Sequence, residues 1–279
     1  MKKLILVFLL PLANLGIIVG QTNNTQTIDI AFTATIDGTE QRYVLMIPND
    51  FHKKQPHSLL IALHGHGSDR WQFIRDQRDE CRAARDLAEA HKMIYVSPDY
   101  RAKTSWMGPK AEADLVQIIN ELKKKYKVDR VFLCGASMGG TASLTFAALH
   151  PELIDGVASM NGTANFVEYT GFSDSIAASF GGSKTAIPDE YNKRSAEFWP
   201  ERFTMPVGIA VGGKDDLVPP QSAIRLANVL KERGCKVQLI IREETGHLTN
   251  YNDARTIIEF IVQKAFSNRK NQHIYIQSK

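Results

Sequence analysis

Ser137 stands in Gly135-Ala136-Ser137-Met138-Gly139-Gly140, a G-x-S-x-G spacing extended by one further glycine. Four apolar residues, Val131 to Cys134, precede it and read as a buried strand. Thr141 to Leu149 follow it and read as a helix rich in small residues. A strand, a sharp turn and a helix are the context in which this spacing presents a nucleophile. Such a turn strains the serine backbone and pushes its hydroxyl above the sheet edge. Gly135 and Gly139 lack the side chains that would collide there. The N–H of Met138, at the start of the helix, then faces any negative charge that develops nearby. The plain alternative is a Gly-rich strand-to-helix turn with no chemistry.

A serine hydroxyl is a weak nucleophile, so it needs a base, and the base needs an orienting carboxylate. On a strand-elbow-helix framework the chain order is serine, acid, histidine. Past the acid candidates only His247 and His273 remain, and His273 lies in a polar tail. His247 follows Glu244-Thr245-Gly246, just past a predicted strand and before the last helix. For the acid, Asp215 and Asp216 are adjacent and cannot point the same way. Asp215 has the expected spacing before Val218-Pro219 and is preferred, with Asp216 as a turn residue. An oxyanion needs two N–H donors, each worth roughly 3 kcal/mol in comparable sites. Met138 supplies one. The second comes from His66 or Gly67 in His64-Gly65-His66-Gly67, with His66 taken as the donor. A metal site built from His64, His66 and Asp69 is the rival reading. No third ligand cluster, H-E-x-x-H or C-x-x-C supports it, so no metal is expected.

The elements that must hold these residues alternate. Thr27–Ile36 and Gln41–Ile47 read as a hairpin around Asp37-Gly38. Ser58–Leu63 is a continuous apolar run that suits a strand buried on both faces. Arg75–Lys92 reads as one amphipathic helix, 93–96 as a strand, and 115–126 as a helix stripe. Strands follow over 154–160, 206–211 and 236–241. A helix stopping at Gly234 and a final helix facing the core through Ile257, Ile258, Ile261, Val262 and Ala265 complete the set. The polar tail after Ser267 is expected to fray. Alternation of this kind predicts an α/β fold, with a mostly parallel sheet and helices on both faces. Sites in such sheets lie at the carboxyl ends of strands, where the His64 loop, Ser137, Asn161 and Gly212 all fall.

One segment, 163–205, is longer than a strand-to-strand crossover needs. It carries Phe166, Tyr169, Phe172, Phe180, Tyr191, Phe198, Trp199 and Phe203. It reads either as a surface insertion packed by aromatics or as a cap walling a substrate pocket. In the second reading Trp106, Asn161 and Phe166 contact the substrate.

The chain has 279 residues, 43% hydrophobic and 23% charged, which are globular values. Net charge is only +4 and no basic block recurs, which argues against a nucleic-acid partner. Lys2 and Lys3 precede an apolar stretch from Leu4 to Val19, and a polar run follows. This predicts a signal peptide over residues 1–20, cut after Gly20, and a secreted or periplasmic product. A single membrane anchor is the alternative reading of that stretch. No stable membrane association is expected once the signal is removed. Residues 21–279 are then one domain, with 163–205 inserted after the sixth strand. Cys81, Cys134 and Cys235 are too few for a disulfide framework.

The motifs G-A-S-M-G-G at 135, H-G-H-G at 64, G-x-x-D-x-x-V-P at 212 and G-H at 246 together resemble the α/β-hydrolase superfamily over about residues 40–266. Within it the chain is similar to exported esterases of the polyester-depolymerase and feruloyl-esterase kind. It is also similar to the catalytic domain of prolyl oligopeptidases, with which it shares the doubled Gly139-Gly140. The sequence carries no long N-terminal propeller of the kind that restricts those peptidases, which shifts the expectation toward esters. The resemblance implies an α/β-hydrolase fold and a Ser137–His247–Asp215 triad. It implies a small-molecule or carbohydrate ester as partner, possessing acetyl or feruloyl groups, and no cofactor. Hydrolysis of small peptides, and a non-catalytic binding protein on the same fold, are the competing expectations. Oligomeric state is not encoded in any motif.

Overall fold

In a computed structural model the described residues are 26–49 and 51–277, with side chains described to Ser267. The expected signal peptide lies outside them. Eight strands form one sheet: β1 (Gln26–Thr33), β2 (Glu40–Ile47), β3 (His57–Leu63), β4 (Ile94–Pro98), β5 (Val128–Ala136), β6 (Gly156–Met160), β7 (Val207–Gly212) and β8 (Val237–Arg242). Their spatial order is β1-β2-β4-β3-β5-β6-β7-β8. β2 runs antiparallel to both β1 and β4, and every other pairing is parallel. The carboxyl ends of β3 to β8 therefore open on one edge.

The helices are α1 (Gln72–Arg75), α2 (Asp79–Ala90), α3 (Pro109–Lys125), α4 (Met138–Leu149), α5 (Ser173–Phe180), α6 (Pro188–Arg194), α7 (Gln221–Glu232) and α8 (Tyr251–Gln277). Period-two alternation along β3 explains the layering. Leu59, Ile61 and Leu63 face one core with α3 and α7, while Leu60 and Ala62 face the other with α2 and α8. Each fully buried leucine or isoleucine contributes roughly 1.5–3 kcal/mol. Pro109 opens α3 behind Gly108, and Lys123, Lys124 and Lys125 complement the dipole in its last turn.

Two expectations are corrected. The helix expected over Arg75–Lys92 runs only from Asp79 to Ala90, with Arg75 closing the separate α1, because Asp76 Oδ1 accepts the Arg78 N–H at 2.9 Å and Asp76 is extended. That side-chain turn competes with the helical ladder. The tail after Ser267 does not fray at that point: α8 continues to Gln277. The stretch holds no Pro or Gly to stop it.

β6 and β7 are neighbours, and the segment 163–205 between them holds α5, α6 and two single turns. Phe166, Tyr169, Ile176, Phe180 and Tyr191 are buried in the same core as α3. Arg194, 1% exposed, pins α6 to the body. It donates to Glu112 at 2.7 Å, to Glu190 at 2.6 Å and to the Met107 carbonyl at 2.6 Å. All three cysteines are free thiols, with Cys81 and Cys134 buried and Cys235 half-buried. Among the described residues no helix is long and apolar enough to cross a membrane.

Candidate active site

Ser137 sits between β5 and α4 with φ 57° and ψ −121°. This region costs a non-glycine residue about 1–3 kcal/mol, so its surroundings must hold it there. The Ser137 N–H donates to the Met160 carbonyl on β6 at 2.8 Å, and the Ser137 carbonyl accepts from Thr141 at 3.0 Å to start α4. The turn closes this tightly because two positions have no side chain. A Cβ on Gly135 would strike the Gly139 backbone, and one on Gly139 would strike the carbonyl of Leu63.

Asp215 follows β7 and is 4% exposed. Its Oδ2 lies 2.6 Å from His247 Nδ1, and its Oδ1 accepts the amides of Leu217 at 3.1 Å and Val218 at 2.9 Å. Asp216 is exposed to solvent. Between the two adjacent acids, the geometry thus selects Asp215 as the partner of His247. The loops carrying the pair are laced by backbone, Lys214 N–H to Thr245 O at 2.9 Å. Among the described residues His247 Nε2 has no hydrogen-bond partner, which leaves it available for a serine proton.

The H-G-H-G loop distinguishes its own amides. Gly65 N–H donates to Gln72 Oε1 at 2.7 Å, and Gly67 N–H donates to the Lys103 carbonyl at 2.8 Å. Among the described residues the N–H groups of His66 and Met138 have no protein acceptor. Of the two loop candidates, His66 is therefore the one with a donor to offer an oxyanion. His64 is fully buried, with Nδ1 2.8 Å from the Gly65 carbonyl and Nε2 3.0 Å from the Asp99 carbonyl. Both ring nitrogens face backbone carbonyl oxygens, and the neutral imidazole donates its one N–H to one of them. Burial pushes its imidazole pKa down.

The expected substrate contacts are placed differently. Trp106 is 0% and Phe166 1% exposed, so neither presents a surface to a ligand. They pack on each other edge-on, with ring centroids 6.3 Å apart, covered by the insertion. Asn161 is buried and its amide is used up: Nδ2 donates to Thr249 Oγ1 and Oδ1 accepts from Gly212 N–H, both at 3.0 Å. It ties β6 to the acid and histidine loops. Phe172 does lie at the site, half-buried with its ring 4.3 Å from the His66 ring.

Some supporting groups carry no motif. Gln72 was one such residue, on a short helix with no apolar stripe. Arg70 was another. It bonds Asp29 on β1 and Asp99 after β4, both at 2.9 Å, and so fastens the hairpin to the H-G-H-G loop. Only the sequence adjacency of both to the H-G-H-G motif hinted at a role.

The prolyl oligopeptidase family matches residues 100–272, more than half of the chain. The protein belongs to that family. The solved structures that share its fold include both esterases and peptidases. Its fold is the α/β-hydrolase fold, shared with solved structures at low identity. A putative dipeptidyl aminopeptidase IV from Bacteroides ovatus is 16% identical, with a TM-score of 0.69 over 87% of this chain. The family member spans only 36% of that peptidase's length. A ferulic acid esterase is 18% identical, with a TM-score of 0.67 over 86% of this chain and 98% of its own. A fluorophosphonate-binding serine hydrolase of Staphylococcus aureus is 18% identical, with a TM-score of 0.64 over 86% and 99%. Comparison with curated proteins returns no match.

Proposed function

We propose that this protein is an exported serine esterase that works through an acyl-enzyme. The observation that carries the reading is the 2.6 Å contact between Asp215 and His247, together with a strained Ser137 whose hydroxyl has no hydrogen-bond partner among the described residues. Ser137 Oγ attacks the ester carbonyl while His247 Nε2 takes its proton. Asp215 holds the Nδ1–H, which fixes the tautomer and stabilises the imidazolium that forms. The N–H groups of Met138 and His66 receive the oxyanion, at roughly 3 kcal/mol each. His247 returns the proton to the leaving alcohol, and water, activated the same way, releases the acyl group. No step requires a cofactor.

Acetyl or feruloyl esters of polysaccharides are the proposed substrate class. The fold likeness to a ferulic acid esterase and the N-terminal signal pattern support it. The family match favours a second reading, hydrolysis of small peptides. A panel of acetylated and feruloylated oligosaccharides, simple esters and short peptides decides between them. Turnover of peptides alone would overturn the esterase reading. Failure of a fluorophosphonate to label Ser137 would favour a binding protein without catalysis.

A further inference from the structure

Among the described residues Trp106 is the largest fully buried side chain, yet it hangs from a loop rather than from a strand or helix. Its backbone has φ 43° and that of Met107 has φ 57°, two successive residues in a costly region. Packing and hydrogen bonds from the insertion hold them there. The rings of Tyr169 and Phe172 lie 5.8 and 5.3 Å from the Trp106 ring, and Arg194 grips the Met107 carbonyl. What this investment secures is one directed contact: Trp106 Nε1 lies 3.2 Å from His66 Nδ1. An indole nitrogen only donates. His66 Nδ1 is therefore the acceptor, the ring proton sits on Nε2, and the imidazole is neutral. Being buried, Trp106 acts on no substrate directly, and its polar contact ends on the residue whose backbone N–H faces the oxyanion in the reading above.

We propose that Trp106 is a positioning residue, which holds the His66 amide in line for the oxyanion by hydrogen-bonding the His66 ring. The insertion is then the brace of the oxyanion loop. This rests on the serine-esterase reading, and the two are tested separately.

Wild-type protein is first labelled with a fluorophosphonate and assayed on p-nitrophenyl acetate. Absence of both labelling and turnover defeats the esterase reading itself and the inference with it. Three variants then address Trp106. Trp106→Phe removes the donor and keeps most of the ring. His66→Phe removes the acceptor and keeps the packing. His66→Asn places an amide oxygen near the Nδ1 position. Rates are expressed per labelled site, so loss of folded protein does not register as loss of catalysis. We expect kcat to fall about tenfold in Trp106→Phe and His66→Phe, with KM within about twofold. His66→Asn should be severalfold faster than His66→Phe, and the double variant W106F/H66F no slower than either single one. Unchanged kcat per site in Trp106→Phe, or losses that multiply in the double variant, would overturn the proposal. Should Trp106→Phe fail to fold, the two half-buried His66 variants decide, and equal rates for them would overturn it.

Discussion

Asp215 has two tasks. One carboxylate oxygen orients His247, and the other is held by the amides of Leu217 and Val218, so the group cannot rotate away. Asp216 faces solvent and has neither task. Asp215→Asn should therefore lower ester turnover by about 10^4-fold, as loss of the correct tautomer does in a comparable triad. Asp216→Asn should stay within about threefold, because surface changes away from the machinery are small. Steady-state rates of the two purified variants check the order, and the reverse order would remove Asp215 from its role. Ser137→Ala and His247→Ala should each lose about 10^4–10^6-fold while keeping the circular dichroism of the parent. Chain order prunes the sequence to Ser137, His247 and Asp215 as triad candidates, and the structure brings the last two within 2.6 Å of each other. Taking His66 over Gly67 as the second donor has its physical reason only in the structure, where the Gly67 amide is spent on the Lys103 carbonyl.

At the scale of elements, the insertion separates residues that resemble one another on paper. Phe172 is half-buried against His66, Phe166 is fully buried, and Trp199 stacks on Arg202 at 4.1 Å and donates to the Asn192 carbonyl. Phe172→Ala should shift the ratio of rates between bulky and small esters by about 1–3 kcal/mol. Phe166→Ala should leave that ratio alone and cost about 3–5 kcal/mol of stability. Trp199→Ala should change neither by much. Competition assays on paired esters, together with urea unfolding, measure both effects. Aromatic content marked this segment in the sequence but could not sort its members. The cover over Trp106 comes from residues 166–172, more than fifty positions away, and no local pattern carries that information. The strands were legible for the opposite reason: runs such as Leu59–Leu63 are apolar at every position, which only a two-sided burial explains. The stripe from Cys81 to His91 was legible, but the start of α2 at Asp79 was not, because the Asp76 side-chain turn before it leaves no periodic signal.

For the molecule as a whole, the contact that pins the insertion to the body is also sensitive to acid. Burial raises the Glu112 pKa, but the hydrogen bond with His150 and the charge of Arg194 outweigh it and hold the carboxyl at about 2. A carboxyl depressed from its ordinary value of 4.5 contributes stability that is fully present above that pH and is lost as pH falls toward about 2. The shift corresponds to about 3 kcal/mol. Urea unfolding of the parent should therefore weaken between about pH 4.5 and 2. Glu112→Gln should be less stable at neutral pH by up to about 3 kcal/mol, since the buried Arg194 then keeps Glu190 as its carboxylate but loses Glu112, and should lose less on acidification. An equal acid slope in both proteins would detach the effect from Glu112.

The free thiols, finally, decide how the folded protein meets an electrophile. Burial drives the Cys81 thiol up to about 12 and that of Cys134 higher still, so neither offers a thiolate or a path to one. Cys235, half-buried beyond the end of α7, is the one left within reach of reagent. The molecule thus comes with a ready-made handle for a single dye or spin label. Intact mass after maleimide treatment should show one adduct on the native protein and three after denaturation. A second adduct under native conditions would mean that the core around β5 opens on the timescale of the labelling.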